Sequence, residues 1–471
     1  MAAGARSRYY DAILKILNND LKPELRSPRA LYAFDMVRTQ LARLAAVNDY
    51  APYLPENLSA LRAEAATPAD HTTTAESWHR QLLEEGRLLD EIETATDTRR
   101  MVPEASGQES NAALPESVSI AAVERYLQSR LDPDTHVKTL RVLSGGRSKQ
   151  TILLDMVDGS GRARELVIRR DLLTTNPTGG TVPEEFAVLE ALYSRGIPVP
   201  RPVLCEPDSG VMGSPFIVVG KVAGTLAGHL FDPPSEAAVL DSARVLGRLH
   251  ALPVADLAPT MRPRSRVRPD AQGVRSIIVD LESQWSAQSR ARSVTLDFVF
   301  KWLLDNANAV QPLSAVVHGD YSYHNILFQD QRLTAVLDWE LVRVGHPAED
   351  LGYIRPAVLN RISWDAFMAA YRSAGGPAIA PLDLLFYTLL EKIRLMVMLF
   401  KVRGFVEEGL SDDIELVNAV IFMIPRLIHQ MSTEIRQFLG TGPALSSARS
   451  PPATGAKGES ERAVLPTPKR A

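Results

Sequence analysis

The sequence has little of what marks secreted, membrane-spanning or nucleic-acid-binding chains. Its 471 residues include one cysteine, Cys205, so an intrachain disulfide is excluded and a reducing compartment is favoured. The formal net charge is only −4, which gives no overall field that would draw the chain to nucleic acid or to an anionic membrane. The N-terminus lacks the apolar core of a secretion signal. We therefore expect a cytoplasmic protein.

Long apolar runs are also missing. The most apolar late stretch, 384–400, contains Glu391, Lys392 and Arg394, which predicts a buried amphipathic helix rather than a membrane span. What is present, 45% hydrophobic and 23% charged residues, is typical of soluble globular proteins. A chain of this length predicts two or three globular pieces.

Helical spacing of apolar residues dominates the first hundred or so residues. A proline follows Ser27 at a predicted helix start, and a Thr-x-x-Glu capping box begins at Thr73. We predict a helical domain of unknown function at 1–102 and a polar linker at 103–116. A disordered tail is predicted at 441–471, which is dense in proline, serine, alanine and glycine.

The remaining segment, 117–440, changes character along its length. Its first part, about 117–224, alternates short β-rich runs with glycine turns, which predicts a small β-rich lobe. Its second part, about 225–440, has mostly helical periodicity apart from a strand pair around 325–337. The predicted fold class is therefore α+β, with a two-lobed domain preceded by a small all-α domain.

The densest set of chemical groups lies at 318–325 and at Asp338. The spacing Asp-x-x-x-x-Asn from Asp320 to Asn325 fits a loop whose ends face one cavity, and a hairpin with its turn at 329–332 is predicted to return Asp338 beside Asn325. Phosphoryl transfer needs a carboxylate that orients the attacking hydroxyl and oxygen ligands that hold Mg²⁺ against nucleotide phosphates. These three residues can supply both. The alternative is that Asp320 caps a turn and Asp338 ends a strand.

The stretch 117–439 resembles the aminoglycoside phosphotransferase-like family of kinase-fold enzymes, which implies a bilobal protein-kinase-like fold. The matching motifs are His-Gly-Asp-x-x-x-x-Asn and Asp-Trp-Glu. The resemblance implies that Asp320 is the catalytic residue and that ATP is the phosphoryl donor. It also implies that Asn325 and Asp338 bind magnesium and that His318 organises the loop.

A second motif extends the resemblance. The segment 345–351 is similar to the family's Gly-Asp-Pro-x-x-Asp-Leu, with His346 in place of its first acid. Asp350 is expected to brace the lobe rather than to touch substrate. His250, which matches a family helix, is expected to be a structural histidine.

The glycine-bearing segment 143–151 lies where the family carries its phosphate-covering loop. The candidate nucleotide contacts there are Ser144, Gly145, Gly146 and Ser148. Two adjacent glycines also occur in many hairpins, so a simple turn is the alternative. Lys149 departs from the family's Gly-Gly-x-Ser-Asn pattern because it replaces the asparagine.

Further nucleotide contacts are predicted in the strands and helix that follow. Arg169 takes the place of the phosphate-anchoring lysine, and a guanidinium can clamp phosphate oxygens at two points. Kinase domains associated with acyl-CoA dehydrogenases, which the chain resembles most, also carry arginine there. Glu185 is the acid expected to pair with Arg169, although taken alone it reads as a solvated helix residue. The segment 216–224, with Val219 as the candidate contact, resembles the hinge that receives adenine, or else is an apolar strand end.

The preferred interpretation is an ATP- and Mg²⁺-dependent kinase of a small-molecule alcohol. The resemblance implies a hydroxyacyl-CoA acceptor and association with an acyl-CoA dehydrogenase pathway. Two alternatives stay open: an aminoglycoside or other small-alcohol kinase, and a regulatory nucleotide-binding module without catalysis, which Lys149 and Arg169 would favour. The arginine-rich segment 262–268 is either a solvated loop or a site for a CoA phosphate. Neither nucleic acid nor a membrane is an expected partner.

Overall fold

The computed structural model describes part of the chain. The described residues are 87, 118–143, 149–172, 180–226, 233–261, 270–288, 293–407 and 414–441. Several predicted segments lie outside them: the helical domain at 1–102 apart from residue 87, the linker at 103–116, the glycine segment 144–148, the arginine-rich segment 262–268 and all but the first residue of the tail 441–471. Their predicted structures stay predictions.

A five-stranded antiparallel sheet forms the first part of the described chain. Its strands are β1 (His136–Leu143), β2 (Lys149–Val157), β3 (Ala163–Asp171), β4 (Pro202–Glu206) and β5 (Phe216–Gly220), in the order β1-β2-β3-β5-β4. Apolar residues alternate along β2, so Ile152 and Leu154 are buried on one face. Helix α1 (Ile120–Arg130) packs on that face through Leu127. The β-rich character predicted for this part is confirmed.

Helix α2 (Val182–Tyr193) lies on the other face of the sheet. Its start is specified locally, because the Glu184 carboxylate accepts a hydrogen bond from the backbone N–H of Thr181 at 2.8 Å. Side chains alternate along β5, so that Ile217 and Val219 share a core with α2 while their neighbours face α1. Strand β5 therefore contributes to apolar cores on both faces of the sheet.

Helices make up most of the rest of the described chain. They are α3 (Glu236–His250), α4 (Val254–Leu257), α5 (Ala271–Gln288), α6 (Val294–Asn306), α7 (Ala348–Leu359), α8 (Trp364–Ser373), α9 (Pro381–Glu407) and α10 (Ile414–Thr441). The stretch 384–400 lies inside α9, where Leu390 and Ile393 are fully buried, as predicted. None of the helices in the described ranges is both long and apolar enough to cross a bilayer. The cytoplasmic location stays a prediction.

Short strands inside the helical part carry the candidate site. Strands β8 (Ile326–Gln329) and β9 (Arg332–Val336) form the hairpin predicted at 325–337, and β6 (Thr225–Leu226) pairs with β8. Strand β7 (Ala315–Val317) pairs with β10 (Arg343–Gly345), a ladder that was not predicted from the sequence. Each of these two strands has only 3 residues, which is too short to show a period of two.

One apolar core joins the sheet to these strands. It combines Ile217 of β5 with Leu246 of α3, Phe328 of β8 and Trp339, all of which are almost completely buried. The segments that carry the predicted catalytic motifs therefore rest on the same core as the β-rich part. This shared core fixes the position of the loop at 318–325 relative to β3 and β5.

Candidate active site

Strand β7 leads directly into the predicted catalytic motif. Gly319 has a φ of +84°, in the left-handed region that favours glycine. A Cβ built at this position would lie 2.7 Å from the carbonyl oxygen of Leu341 and would also collide with the guanidinium of Arg343. Glycine therefore allows the sharp turn between His318 and Asp320 and the close approach of the neighbouring chain.

The Asp320 carboxylate is held through one oxygen and not through the other. Its Oδ2 accepts a hydrogen bond from Asn325 Nδ2 at 2.9 Å, and His324 Nε2 lies 3.3 Å from the same oxygen. Oδ1 is buried and has no hydrogen-bond partner in the described residues. Burial by itself would raise the pKa of this carboxyl, but His324 and Tyr353 outweigh burial and hold the pKa below its usual range. Asp320 is thus an ionised carboxylate whose charge the Tyr353 hydroxyl also stabilises, and whose Oδ1 makes no hydrogen bond of ordinary geometry to another described residue.

His318 fixes the backbone on two sides of the site. Its Nδ1 accepts a hydrogen bond from the backbone N–H of Asp320 at 3.1 Å, which leaves Nε2 as the donor of the ring. Nε2 donates to the carbonyl oxygen of Leu337 at 2.9 Å. One fully buried imidazole therefore ties the loop that carries Asp320 to the residue before Asp338.

Asp350, in the first turn of α7, binds the same loop. Its Oδ2 accepts from the backbone N–H of His318 at 2.8 Å and from His250 Nε2 at 3.0 Å. Its Oδ1 accepts from the backbone N–H of Gly319 at 2.8 Å. Burial alone would raise the pKa of Asp350, but the hydrogen bond from His250 and the proximity of His318 outweigh burial and lower it. These contacts fit the bracing role expected for Asp350 and the structural role expected for His250.

The hairpin β8–β9 returns the chain to Asn325, as predicted. Asp330 and Gln331 have φ values of +50° and +65°, which gives a two-residue turn of the kind that suits twisted hairpins. The backbone N–H of Leu337 donates to the carbonyl oxygen of Asn325 at 2.8 Å. Asp338 comes next, with a φ of +63°. The hydrogen bond between Leu337 and Asn325 holds Asp338 next to the loop.

Asn325 and Asp338 offer the oxygen ligands that Mg²⁺ prefers, an amide and a carboxylate. Asn325 uses Nδ2 for both of its side-chain contacts with Asp320, so Oδ1 is the atom that can bind a cation. Asp338 has a side chain 35% exposed and receives Arg169 on Oδ1. Mg²⁺ in kinases is usually bound by one or two such residues together with phosphate oxygens, which this pair fits. Within the described residues, no three or more His, Cys, Asp or Glu side chains are grouped to hold a metal.

Arg169 of β3 joins two of the predicted site residues. Its guanidinium lies 3.3 Å from Glu185 Oε1 and donates from Nη2 to Asp338 Oδ1 at 3.0 Å. The Glu185 side chain is only 1% exposed, which excludes a solvated helix residue. Burial alone would lower the pKa of Arg169, but the two carboxylates outweigh burial and raise it. The expected pairing of Arg169 with Glu185 is present, and buried Nε of Arg169 has no partner in the described residues.

Lys149, at the start of β2, is bound to protein groups on three sides. Its Nζ lies 2.5 Å from Asp171 Oδ1, 2.5 Å from the carbonyl oxygen of Gly180 and 3.9 Å from Glu340 Oε2. The backbone N–H of Gly180 in turn donates to the carbonyl oxygen of Glu340 at 2.8 Å. Lys149 therefore joins β2 and the segment before α2 to the residues that follow Asp338.

Two arginines and two glutamates form a buried cluster beside the loop. Arg343 Nη2 lies 2.6 Å from Glu349 and 2.9 Å from Glu391. Arg394 Nη1 lies 3.0 Å from Glu349 and 2.5 Å from Glu391. Because the charges cancel, this cluster presents neither a net acidic nor a net basic surface. Arg343 also packs closely against Gly319, which places the cluster next to the catalytic motif.

His346 replaces an acid of the family motif and does so as a neutral ring. Its Nδ1 accepts a hydrogen bond from the backbone N–H of Ala348 at 3.1 Å, a capping contact that a carboxylate could also make at the start of α7. Burial, opposed by Glu349, lowers the pKa of His346 to about 4. The ring stacks on Tyr387 with 4.2 Å between ring centroids.

The other candidate nucleotide contacts are only partly described. Val219 lies inside β5, paired with Val167 on one side and Pro202 on the other, and its side chain is buried. The remaining candidates, Ser144, Gly145, Gly146 and Ser148, lie outside the described residues. A nucleotide-binding role for all of them stays a prediction.

The combination of a loop aspartate, a downstream asparagine and aspartate, and a strand–helix ion pair is typical of kinase-fold phosphotransferases. Residues 139–385, more than half of the chain, match the phosphotransferase enzyme family called APH. The chain belongs to this family. The resemblance seen in the sequence is therefore confirmed.

Curated relatives match parts of the chain. It is 30% identical over 200 residues to acyl-CoA dehydrogenase family member 11 of Homo sapiens, covering 39% of this chain and 24% of the relative. It is 29% identical over 221 residues to the Gallus gallus protein of the same name, covering 46% and 27%. It is 26% identical over 200 residues to viomycin phosphotransferase of Streptomyces vinaceus, covering 38% and 64%. The chain spans about a quarter of the length of the first two relatives.

A solved structure supports the fold. A Ralstonia eutropha protein assigned to the aminoglycoside phosphotransferases is similar with a TM-score of 0.53 and 20% sequence identity, covering 68% of this chain and 98% of that chain. This likeness concerns the fold alone. It confirms a kinase-like fold of mixed helix and sheet for the described part, whereas the predicted all-α domain at 1–102 lies outside it.

Two contacts of the site were not predicted from the sequence. His324 stands within the motif, but only the folded loop brings its ring to the Asp320 carboxylate. The sequence feature that could have indicated this contact is the position of His324 directly before Asn325. Lys149 was identified only as a departure from the family pattern, and its partners at Asp171 and Gly180 are too distant in sequence to be read from it.

Proposed function

We propose that the chain is an ATP- and Mg²⁺-dependent phosphotransferase acting on a hydroxyl group of a small molecule. The observation that carries this proposal is the Asp320 carboxylate, whose Oδ2 is held by the loop while its buried Oδ1 has no hydrogen-bond partner of ordinary geometry among the described residues. A carboxylate in this state can orient an acceptor hydroxyl and take its proton. The alcohol oxygen bonds to the γ-phosphorus, the bond from that phosphorus to the bridging oxygen of ADP breaks, and the alcohol proton passes to Asp320.

Preorganisation of the loop supports this role. Phosphoryl transfer depends mainly on positioning and on electrostatic stabilisation, because the protein has little covalent chemistry to perform. His318 holds the backbone of Asp320, and Asp350 holds the backbone of His318 and Gly319. The loop is therefore held by hydrogen bonds within the protein itself, which supports a fixed position for Asp320 during phosphoryl transfer.

Asn325 Oδ1 and Asp338 are the proposed ligands of Mg²⁺. When bound, the ion neutralises charge on the transferring phosphate. Arg169, with several donors on one planar group, is proposed to steady the nucleotide phosphates while Glu185 keeps it in place. The segment 144–148 and Val219 are proposed as the other nucleotide contacts, the first over the phosphates and the second near adenine.

A hydroxyacyl-CoA is the proposed acceptor. Its support is that two relatives are named acyl-CoA dehydrogenase family members, and the same names support a place beside an acyl-CoA dehydrogenase pathway. The arginine-rich segment 262–268 is proposed to meet the CoA phosphates.

A turnover screen with the purified full chain tests the proposal. ATP and MgCl₂ are offered with hydroxyacyl-CoAs, aminoglycosides and simple alcohols, and both ADP release and the mass of each acceptor are followed. At least one hydroxyl compound should gain one phosphate, and this gain should disappear with EDTA or with Asp320→Asn. Nucleotide binding without turnover across the panel would contradict the proposal and favour the regulatory binding module.

A further inference from the structure

His324 is a second histidine at the catalytic loop, in the short helical turn Tyr323–Asn325. Its Nε2 lies 3.3 Å from Asp320 Oδ2. Its side chain is 35% exposed, whereas His318 is completely buried. The two histidines therefore act on different parts of Asp320: His318 binds the backbone and His324 the carboxylate.

Two donors converge on one oxygen of Asp320. Asn325 Nδ2 lies 2.9 Å from Oδ2 and 3.1 Å from the backbone carbonyl oxygen of the same residue. His324 adds the second side-chain contact to Oδ2, whereas Oδ1 makes no hydrogen bond of ordinary geometry within the described part of the chain. Rotation about the Cβ–Cγ bond of aspartate is otherwise loosely restricted, and it exchanges the two oxygens. Because both donors bind Oδ2, they oppose that rotation.

Asn325 has a second task, since its Oδ1 is a proposed ligand of Mg²⁺. An amide that moves toward a cation changes its hold on Asp320, because Oδ1 and Nδ2 belong to one rigid plane. A donor that is not itself a proposed metal ligand does not share this conflict. The ring of His324 contacts the Asp320 carboxylate and is not among the proposed metal ligands.

We propose that His324 is a positioning residue for phosphoryl transfer, which donates from Nε2 to Oδ2 of Asp320 and thereby keeps Oδ1 directed at the acceptor hydroxyl. The inference rests on the proposed function and adds a residue to it. The contact needs only an Nε2–H group, which imidazole carries both in one neutral form and in its cationic form. No change of charge on His324 is therefore required.

The test compares His324→Ala and His324→Gln with the wild-type chain. The amide nitrogen of glutamine can take the place of Nε2, whereas alanine removes the donor. Loss of a hydrogen bond to a charged group predicts a roughly 10- to 100-fold fall in kcat for His324→Ala, with KM for ATP and acceptor changed less than about twofold. His324→Gln should stay within about fivefold of the wild-type kcat. Added imidazole should restore part of the activity of His324→Ala.

His136→Ala is the matched control, because the ring of His136 is 64% exposed on β1, far from the motif in sequence. It should leave kcat and KM unchanged. The inference is overturned if His324→Ala keeps the wild-type kcat. It is also overturned if the alanine and glutamine variants lose kcat equally and imidazole restores neither, since a general loss of loop structure would produce that result.

A spectroscopic readout separates this inference from the proposed function. The ring nitrogen signals of His324 are recorded by NMR in the nucleotide-free wild-type chain and in Asp320→Asn. The contact predicts a clear shift of the His324 Nε2 signal and none for His136. Identical His324 signals in the two proteins would contradict the contact, whether or not the chain has activity. If the His324 signal shifts but the chain phosphorylates none of the acceptors in the turnover screen, the contact is present and the proposed function is wrong. The catalytic part of the inference would then be wrong as well.

Discussion

Asp320 and Asp350 belong to the same short region of the fold, but their carboxylates differ in how they are occupied. Asp350 is fully buried and receives hydrogen bonds on both oxygens, from the backbone of His318 and Gly319 and from His250. Asp320 is 24% exposed, and its hydrogen bonds with Asn325 and His324 both involve Oδ2. A carboxylate whose oxygens are all occupied stabilises the loop, whereas one with an unused oxygen is available for chemistry.

Charge alone does not distinguish the two aspartates. Burial opposes ionisation in both, and neighbouring groups outweigh burial in both, so each pKa lies below its usual range. For Asp320 the neighbours include His324 and Tyr353, and for Asp350 they are His250 and His318. The difference between the two carboxylates therefore lies in which oxygens accept the hydrogen bonds rather than in the charge: both oxygens of Asp350 accept, whereas Asn325 and His324 both bind Oδ2 of Asp320.

Asp320→Asn should give the largest effect of these substitutions, and the effect should be on kcat rather than on stability. The amide cannot accept the alcohol proton, so kcat should fall by about 10²- to 10⁴-fold. The free energy of unfolding should change by less than about 1 kcal/mol, because no fully buried charge is left unpaired. Steady-state kinetics and urea unfolding measure the two quantities. Asp305→Asn, at a side chain 59% exposed, is the control, and an equal kcat for both variants would be evidence against the account.

Asp350→Asn should mainly lower the free energy of unfolding, in contrast to Asp320→Asn. An amide presents N–H groups to one of the donors that now bind Asp350, so buried hydrogen bonds are lost and the free energy of unfolding should fall by about 3 to 5 kcal/mol. Activity should fall as well, since the loop loses its anchor. Urea unfolding checks the first effect. A variant as stable as the wild-type chain would show that the occupied carboxylate does not stabilise the loop.

Two lysine ion pairs of equal length extend the contrast between buried and exposed partners. Lys149 lies 2.5 Å from Asp171 with an 8% exposed side chain, and Lys221 lies 2.5 Å from Glu165 with a 35% exposed side chain. Lys149→Met should lower the free energy of unfolding by about 2 to 3 kcal/mol. Lys221→Met should lower it by less than about 1 kcal/mol. Equal losses in urea unfolding would contradict the role assigned to Lys149.

His346, which caps the helix that carries Asp350, adds a pH-dependent prediction. The unfolded chain binds a proton at this histidine below about pH 6.5, while burial holds the pKa of the folded ring at about 4. Protonation therefore favours unfolding as pH falls from about 6.5 to about 4, and has no effect above that window. Between pH 7 and pH 5 this costs about 2 kcal/mol of stability.

His346→Asn tests this pH dependence, because asparagine can keep an acceptor for the backbone N–H of Ala348 without titrating. The loss of unfolding free energy between pH 7 and pH 5 should be about 2 kcal/mol smaller in the variant than in the wild-type chain. Urea unfolding at the two pH values measures both losses. Parallel pH profiles would show that His346 does not titrate as the structure implies.

The local parts of the site could be predicted from the sequence. Asp320, Asn325 and Asp338 are linked by a loop and a hairpin that short-range spacing describes, and Asp330 and Gln331 form the turn where it was expected. The β-rich and helical parts could be predicted in the same way, because each rests on a period of two or of 3.6 residues over a sufficient length.

Contacts between distant segments could not be predicted in this way. His250 meets Asp350 across 100 residues, and Lys149 meets Gly180 across 31. The periodicity of apolar residues does not predict such pairs, since they depend on how the folded helices and strands pack against each other. The ladder between β7 and β10 was missed for a different reason: its strands are too short to leave a pattern. The lack of a hydrogen bond of ordinary geometry at Asp320 Oδ1, within the described residues, could not be predicted from the sequence either, because it depends on the folded loop.

Transfer of labelled phosphate from ATP to the acceptor found in the screen is the most direct test of the central claim. Wild-type chain and Asp320→Asn are compared in Mg²⁺ at equal folded concentration, in a single turnover so that product release does not intervene. The account predicts labelled acceptor with the wild-type chain and a rate lower by about 10² or more with the variant. Equal rates of labelling in the two proteins would show that Asp320 is not the catalytic carboxylate.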